Sequence, residues 1–230
     1  MEQTFKLRMK YQLSASLICA KLIVLKEEIK LLEKGGIDRI HFDVMDGIFV
    51  PRYGLPPEIL KEIHQVTKIP VTVHMMVQDP EPYIEIFKSS GADTISFHVE
   101  PVKHIHRVIQ KIKSSGMKAG VSLNLATSLS NLDYILEDLD LVMLMAINPG
   151  IVGHKLIPQV YQKIADLKNK LAKYPYIKIE IDGGVTFESA PKMIKTGADI
   201  LVCGSSTIFN QAYPVDKKIK ELRQVLNNVL

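Results

Sequence analysis

One phrase recurs along the 230 residues of this chain and constrains its fold more than any single residue does. A basic or polar tail runs into a small-residue turn with glycine, and a short run rich in Ile, Val, Leu or Phe follows. The phrase appears at Gly35-Gly36-Ile37-Asp38, Gly91-Ala92-Asp93, Gly116-Met117-Lys118 and Gly197-Ala198-Asp199. Glycine just past a helix end supplies the left-handed backbone that closes the last turn, and the apolar run behind it reads as a buried strand. Each phrase is a helix-to-strand junction, so strand and helix alternate along the chain.

Counting the apolar runs predicts eight strands, at 12–16, 39–43, 71–74, 94–98, 119–124, 141–146, 178–181 and 200–202. Apolar residues at helical spacing, such as Leu22, Leu25, Ile29 and Leu32, or Ile105, Val108, Ile109 and Ile112, fill the gaps. These patterns predict helices near 21–34, 56–66, 79–90, 103–114, 129–137, 158–173, 186–196 and 214–228. Eight such units without a linker-like stretch predict an α/β fold, a closed (β/α)8 TIM barrel forming a single domain over residues 1–230. The alternative is an open doubly wound sheet. Its nucleotide-binding form wants Gly-x-Gly-x-x-Gly after the first strand, whereas Ser16 is followed here by Leu17-Ile18-Cys19.

Composition narrows the function. With 47% hydrophobic and 23% charged residues, the chain has the makeup of a folded globular protein, not a disordered one. The longest apolar run, 141–147, is far short of the roughly 20 residues that span a bilayer, so no membrane partner is expected. Three basic residues lie in the first ten, but no apolar stretch and small-residue cleavage site follow them, which argues against a secretory signal and for a cytoplasmic protein. The net charge of +4 comes from lysines spread along the chain, whereas a nucleic-acid binder clusters them. A small anionic substrate fits that charge. Two cysteines, Cys19 and Cys203, are too few for a disulfide framework or a Cys-rich zinc site.

In a parallel barrel the active site forms at the carboxyl ends of the strands. Those ends are polar here: Ser16 on the first strand, His41 and Asp43 on the second, His74 on the third, His98 on the fourth and Asp182 after the seventh. Side chains alternate along a strand, so His41 and Asp43 point to the same side. His41, Asp43, His74 and Asp182 can then converge on one divalent metal ion. Imidazole with carboxylate suits Zn, Fe, Mn or Co, and the lack of thiolate argues against a purely structural zinc. A single strand-end histidine is commonly a hydrogen-bonded core residue, and only the convergence of four favours the metal reading. His98 is read either as a neighbour of the ligands or as a substrate contact, and His64, His104 and His106 as surface residues.

Glycines form a second cluster: Gly150 and Gly153 after the sixth strand, Gly183 and Gly184 after the seventh, and Gly204 with Ser205 after the eighth, ahead of an expected short helix. Loops after strands seven and eight commonly bind phosphate through backbone N–H groups and a helix amino end. A third set, Met45, Met75, Met76, Met143 and Met145, lies beside strands two, three and six. Most such methionines fill a core, but Met45, Met76 and Met145 stand close enough to the metal residues to wall the cavity.

These residues resemble the ribulose-phosphate 3-epimerase family of (β/α)8 barrels. The likeness rests on His41-Phe42-Asp43-Val44-Met45-Asp46-Gly47 with Phe49-Val50-Pro51, His74-Met75-Met76-Val77, Asn148-Pro149-Gly150, Ile181-Asp182-Gly183-Gly184 and Gly204-Ser205, in order over about residues 11 to 210. The resemblance implies that His41, Asp43, His74 and Asp182 bind the metal. It further implies that Asp43 and Asp182 are the acid/base pair, that Ser16 and His74 contact substrate and that Met45, Met76 and Met145 line the reacting centre. By the same likeness the glycines of the three loops and Ser205 hold the substrate phosphate.

Departures from the family pattern are Ala15 and Cys19-Ala20-Lys21 around the first strand end, Arg52 after Pro51, Asn124-Leu125 after strand five, and Ile151-Val152-Gly153-His154 after Gly150. None removes a metal residue. Ser16-Leu17-Ile18-Cys19 is also similar to the related allulose-6-phosphate 3-epimerases. The implied activity is metal-dependent 3-epimerisation of a ketose phosphate, D-ribulose 5-phosphate to D-xylulose 5-phosphate, by a homo-oligomer. The alternatives are the allulose-6-phosphate reaction, a noncatalytic sugar-phosphate binder and a metal-dependent hydrolase on the same fold.

Overall fold

The structure, a computed structural model, describes residues 11–150, 155–210 and 214–229. Eight parallel strands close into a barrel in chain order: β1 Gln12–Ser16, β2 Arg39–Met45, β3 Val71–Met76, β4 Thr94–His98, β5 Lys118–Leu123, β6 Leu141–Met145, β7 Lys178–Asp182 and β8 Ile200–Cys203. Each predicted strand is present. β2 and β3 run two residues further than the apolar runs indicate, because Val44 pairs with Met75 and Met45 with Met76 in continued register.

Seven α-helices surround the barrel among the described residues: α1 Leu25–Gly35, α2 Pro57–Val66, α3 Ile84–Ser89, α4 Ile105–Ser114, α5 Val160–Lys170, α6 Ser189–Thr196 and α7 Val215–Asn227. The helix expected near 129–137 is replaced by two 3-10 turns, Leu129–Leu132 and Leu136–Asp138. The buried Leu132, Ile135 and Leu136 lie there at a spacing near three, which suits the tighter helix. Local side chains also compete for the backbone: Ser128 Oγ accepts from the Ser130 amide, and Asn131 Nδ2 donates to the Ser128 carbonyl.

Three of the glycine junctions carry an aspartate, Asp38, Asp93 and Asp199, and Asp140 takes the same place before β6 without a glycine. Asp38, Asp93, Asp140 and Asp199 each donate a backbone N–H to the first or second residue of an odd-numbered strand and accept that residue's N–H on the side-chain carboxylate. The pairs are Asp38 with Leu13, Asp93 with Val71, Asp140 with Ala119 and Asp199 with Ile179, at 2.7–3.1 Å. Strand starts are thus pinned at four points around the barrel floor.

Alternation sorts the strand residues into two chemically distinct sets. Leu13, Ile40, Phe42, Val73, Ile95, Phe97, Val121, Leu144, Ile179, Ile181 and Leu201 are buried in the apolar core shared with the helices. The other set, Ser14, Ser16, His41, Asp43, Thr72, His74, Ser96, His98, Ser122 and Glu180, is buried yet polar. His41 on β2 reaches Glu180 on β7, three strands away around the ring, so this set fills the barrel interior. Toward the floor, Arg39 Nη2 donates to Thr72 and Thr94 hydroxyls at 2.8 and 3.2 Å, and Ser96 and Ser122 hydroxyls meet at 2.8 Å. Toward the carboxyl ends the interior becomes acidic and imidazole-rich.

Candidate metal centre and active site

β2 carries His41 and Asp43 two residues apart on its inner face, and register sets Asp43 level with His74 on β3. β7 ends on Asp182. Four atoms face one another: His41 Nε2, His74 Nδ1, Asp43 Oδ1 and Asp182 Oδ2. The two imidazole nitrogens are 3.2 Å apart. Asp43 Oδ1 lies 3.2 Å from His41 Nε2 and 3.6 Å from His74 Nδ1, while Asp182 Oδ2 lies 3.8 and 3.5 Å from the same atoms. The four residues can offer one ligand atom each within 4.8 Å of one another. Two imidazoles and two carboxylates in so small a volume match a divalent transition-metal site.

Electrostatics agree with that reading. Burial opposes protonation of His41 and His74, yet both pKa values are raised, His41 by the charge of Asp43 and His74 by hydrogen bonds with Asp182 and Asp43. Burial also disfavours the Asp43 carboxylate, but His41 and His74 overcome it and hold that pKa well below the carboxylate range. The site demands positive charge, which a divalent cation supplies as directly as protons do.

Above the cluster a cavity of about 120 Å³ opens at the carboxyl ends of the strands. Ser16, Asp43, Met45, Met76, Met145, Gly150, Asp182, Gly183, Gly184, Gly204 and Ser205, all singled out by sequence, line it. Gly153 lies outside the described residues. His41 and His74 are fully buried behind the two aspartates, whose side chains are 7% and 16% exposed and face the opening. Ser16 Oγ donates to Asp43 Oδ2 at 2.8 Å, on the oxygen turned away from the imidazoles. Met45, Met76 and Val50 form a separate buried apolar group against Ile18 and Phe49. Asp46 ties down the loop after β2: its carboxylate accepts from the amides of Ile48, Phe49 and Gln78.

His98 is placed behind the ligands and does not line the cavity. Its Nε2 lies 3.1 Å from His74 Nε2, and its Nδ1 lies 2.9 Å from Glu100 Oε2. His64, His104 and His106 are exposed, as expected of surface residues. The expected short helix after Gly204 is instead a turn, in which the Gly204 carbonyl accepts from the amides of Thr207, Ile208 and Phe209.

Sequence reasoning missed several neighbours of the site. Glu180, wholly buried, brings Oε1 to 3.3 Å from His41 Nδ1. Its signal was available: a glutamate two residues before Asp182 shares that residue's inward face. Glu100 Oε1 accepts from the Asn124 amide and the Thr127 hydroxyl. Burial opposes its charge, but the hydrogen bond and charge of His98, with those two donors, bring its pKa down to about 2. Lys163 of α5 clamps the same loop, donating to the carbonyls of Asn124, Leu125 and Thr127 at 2.6–2.9 Å. Cys19 and Arg52 line the cavity at two positions where the chain departs from the family pattern.

Solved structures share this fold at low identity. A thiamine phosphate pyrophosphorylase from Pyrococcus furiosus superposes with a TM-score of 0.64 at 18% identity, covering 96% of this chain and 98% of that one. A tryptophan synthase alpha-subunit from the same organism gives 0.68 at 17%, covering 93% and 98%. Sequence similarity is more specific. Ribulose-phosphate 3-epimerase of Bacillus subtilis is 43% identical over 92% of this chain and 98% of its own length. Ribulose-5-phosphate-3-epimerase, chloroplastic, of Arabidopsis thaliana is 42% identical over 87% and 72%, and the Methanocaldococcus jannaschii ribulose-phosphate 3-epimerase is 41% identical over 93% and 90%. The model of the ribulose-phosphate 3 epimerase family matches residues 12–209, which begins at β1 and ends just past β8. Every strand that contributes to the His/Asp cluster falls inside that match, and the chain belongs to the ribulose-phosphate 3-epimerase family.

Proposed function

We propose that this chain, as one catalytic barrel, interconverts D-ribulose 5-phosphate and D-xylulose 5-phosphate by inverting the carbon beside the ketone. The observation that carries the reading is the placement of Asp43 and Asp182 on β2 and β7, three strands apart around the ring, both lining one cavity. Inversion needs a base on one face of the carbon and an acid on the other. Asp43 takes up and releases the proton at Oδ2, the oxygen to which Ser16 Oγ donates, and Asp182 at Oδ1, while Oδ2 of Asp182 faces the imidazoles. Either carboxylate takes the proton from C3 and the other returns one to the opposite face, so the two directions of the reaction exchange their roles.

His41, Asp43, His74 and Asp182 would hold the metal ion, which is Zn, Fe, Mn or Co by its donor set. Such an ion supplies a Lewis acid that lowers the cost of negative charge developing on the ketone oxygen. Met45, Met76 and Met145 exclude water from the reacting carbon, and the backbone at Gly150, Gly183, Gly184, Gly204 and Ser205 receives the phosphate. We place the chain in the cytoplasm, as the sequence expects; among the described residues no helix is long and apolar enough to cross a membrane. Homo-oligomer formation is consistent with the apolar Leu22, Ile23 and Val24, of which Ile23 is 96% exposed.

Turnover of D-ribulose 5-phosphate in deuterated water tests the reading. Deuterium at C3 of the xylulose product is expected. Product without deuterium, or faster turnover of allulose 6-phosphate, overturns the mechanism or the substrate respectively.

A further inference from the structure

Resting on the metal-site reading above, we infer that Glu180 and the His98–Glu100 pair are positioning residues that set the tautomers of His41 and His74, so that the two nitrogens facing each other both present lone pairs.

A neutral imidazole has one N–H and one lone pair, so the partner of its outer nitrogen decides which nitrogen is left to bind metal. Asp43 Oδ1, 3.2 Å from His41 Nε2, turns with that nitrogen toward the metal site, so the N–H of His41 is left to Nδ1, where the Glu180 carboxylate accepts it at 3.3 Å, and Nε2 keeps its lone pair. Glu100 Oε2 likewise takes the N–H of His98 from Nδ1 at 2.9 Å. His98 Nε2 is then an acceptor, and the nitrogen 3.1 Å from it, His74 Nε2, must donate. That leaves the lone pair of His74 on Nδ1, which faces His41 Nε2 at 3.2 Å. Two carboxylates, one acting directly and one through an intervening imidazole, thus orient both nitrogen ligands from outside.

The surroundings show why these partners are held so firmly. Glu100 Oε1 is fixed by the Asn124 amide at 2.7 Å and the Thr127 hydroxyl at 2.5 Å, and Lys163 pins that loop through three carbonyls. Glu180 is wholly buried, and its second oxygen, Oε2, has no hydrogen-bond partner among the described residues. Burying such a group is costly, which is hard to account for by packing alone. Carboxylates that back metal-binding imidazoles are a general device, and their loss typically lowers metal affinity about 10–100-fold.

The test measures Zn²⁺ affinity by competition with a chromophoric chelator, in wild type, Glu180→Leu, Glu180→Gln and Glu100→Leu, with melting temperatures of the metal-free proteins as the control for folding. Affinity should fall about 10–100-fold in Glu180→Leu and Glu100→Leu. Most of it should return in Glu180→Gln, whose amide oxygen still accepts from His41 Nδ1. Glu100 is partly exposed, so Glu100→Leu gives a folded test even if Glu180→Leu does not fold. Unchanged affinity in the folded leucine variants overturns this inference and leaves the metal site standing. Failure of wild type itself to bind Zn²⁺, Mn²⁺, Fe²⁺ or Co²⁺ overturns the metal site and this inference together.

Discussion

Ser16 and Asp43 are joined by a 2.8 Å hydrogen bond that falls on Oδ2 of the aspartate, while Oδ1 of the same carboxylate faces the two imidazoles. The two oxygens therefore have separate neighbours, one for the metal and one for the proton.

Substitutions should separate those roles. Ser16→Ala removes one hydrogen bond to a charged group, worth about 1.5 kcal/mol or roughly tenfold in kcat, with metal content unchanged. Asp43→Asn and Asp182→Asn lose the proton carrier as well as a charged ligand, and turnover should fall by at least about 10²–10⁴-fold. Steady-state kinetics with metal analysis checks both. Full activity in either asparagine variant would rule out the two-carboxylate mechanism.

Glu100 makes stability depend on pH. Its folded pKa, about 2, is below the unfolded value of 4.5, so it stabilises the fold above pH 4.5 and loses that contribution as pH falls toward 2. Glu100 is exposed enough for water to screen its charge, so the linkage is on the order of 1 kcal/mol, well under what the shift alone would give. In urea unfolding of metal-free protein, the stability gap between wild type and Glu100→Gln should be largest near pH 6 and shrink steadily toward pH 3. A constant gap would mean that the carboxylate charge is not what His98 and Thr127 hold.

The barrel floor offers a test free of the active site. Asp93 Oδ2 accepts from the Val71 amide at 2.8 Å where β3 begins. Asp93→Ala should cost about 1–3 kcal/mol by orphaning that amide, and Asp93→Asn, which keeps an acceptor, should recover most of it. Epimerase activity at low temperature should be unaffected in both. Equal stability of the alanine variant would show that water replaces the carboxylate at no cost.

Much of this molecule was legible in its sequence because strand ends in a parallel barrel are few and polar residues there are conspicuous. His41, Asp43, His74 and Asp182 were found in that way. Glu180 escaped because it stands inside an apolar run, between Ile179 and Ile181, where only the inward alternation from Asp182 marks it. The place of His98 depends on the closed ring setting β4 beside β3, which no local pattern encodes. The segment 129–137 misled for a different reason: its leucines satisfy helical spacing, while Ser128, Ser130 and Asn131 hold the backbone in tighter turns. The glycines were legible as a cluster but not as individuals.

Individual glycines differ in what a side chain would meet there. Gly183 has φ +93°, and a Cβ there would come within 2.3 Å of Ile147 Cγ1. A side chain at Gly183 forces both strain and a clash, with strain alone worth about 1–3 kcal/mol. Gly204 does not adopt a left-handed conformation, and the nearest atom to a Cβ built on it is Cys19 Sγ, at 3.3 Å across the cavity lining. Gly204→Val should therefore fold and keep its metal, yet crowd the place where the phosphate is received. KM should rise by about tenfold or more, because phosphate binding is largely uniform between ground and transition states. Some loss of kcat should accompany it, since remote binding energy helps orient the reacting carbon. Gly183→Val should lose activity together with stability, which thermal melts distinguish from a pure KM effect. The unphosphorylated ketose is the control: it should be poor for wild type and equally poor for Gly204→Val. If Gly204→Val binds the sugar phosphate as tightly as wild type, the anion sits away from β8, and the loop at Gly150 takes its place as the receiving site.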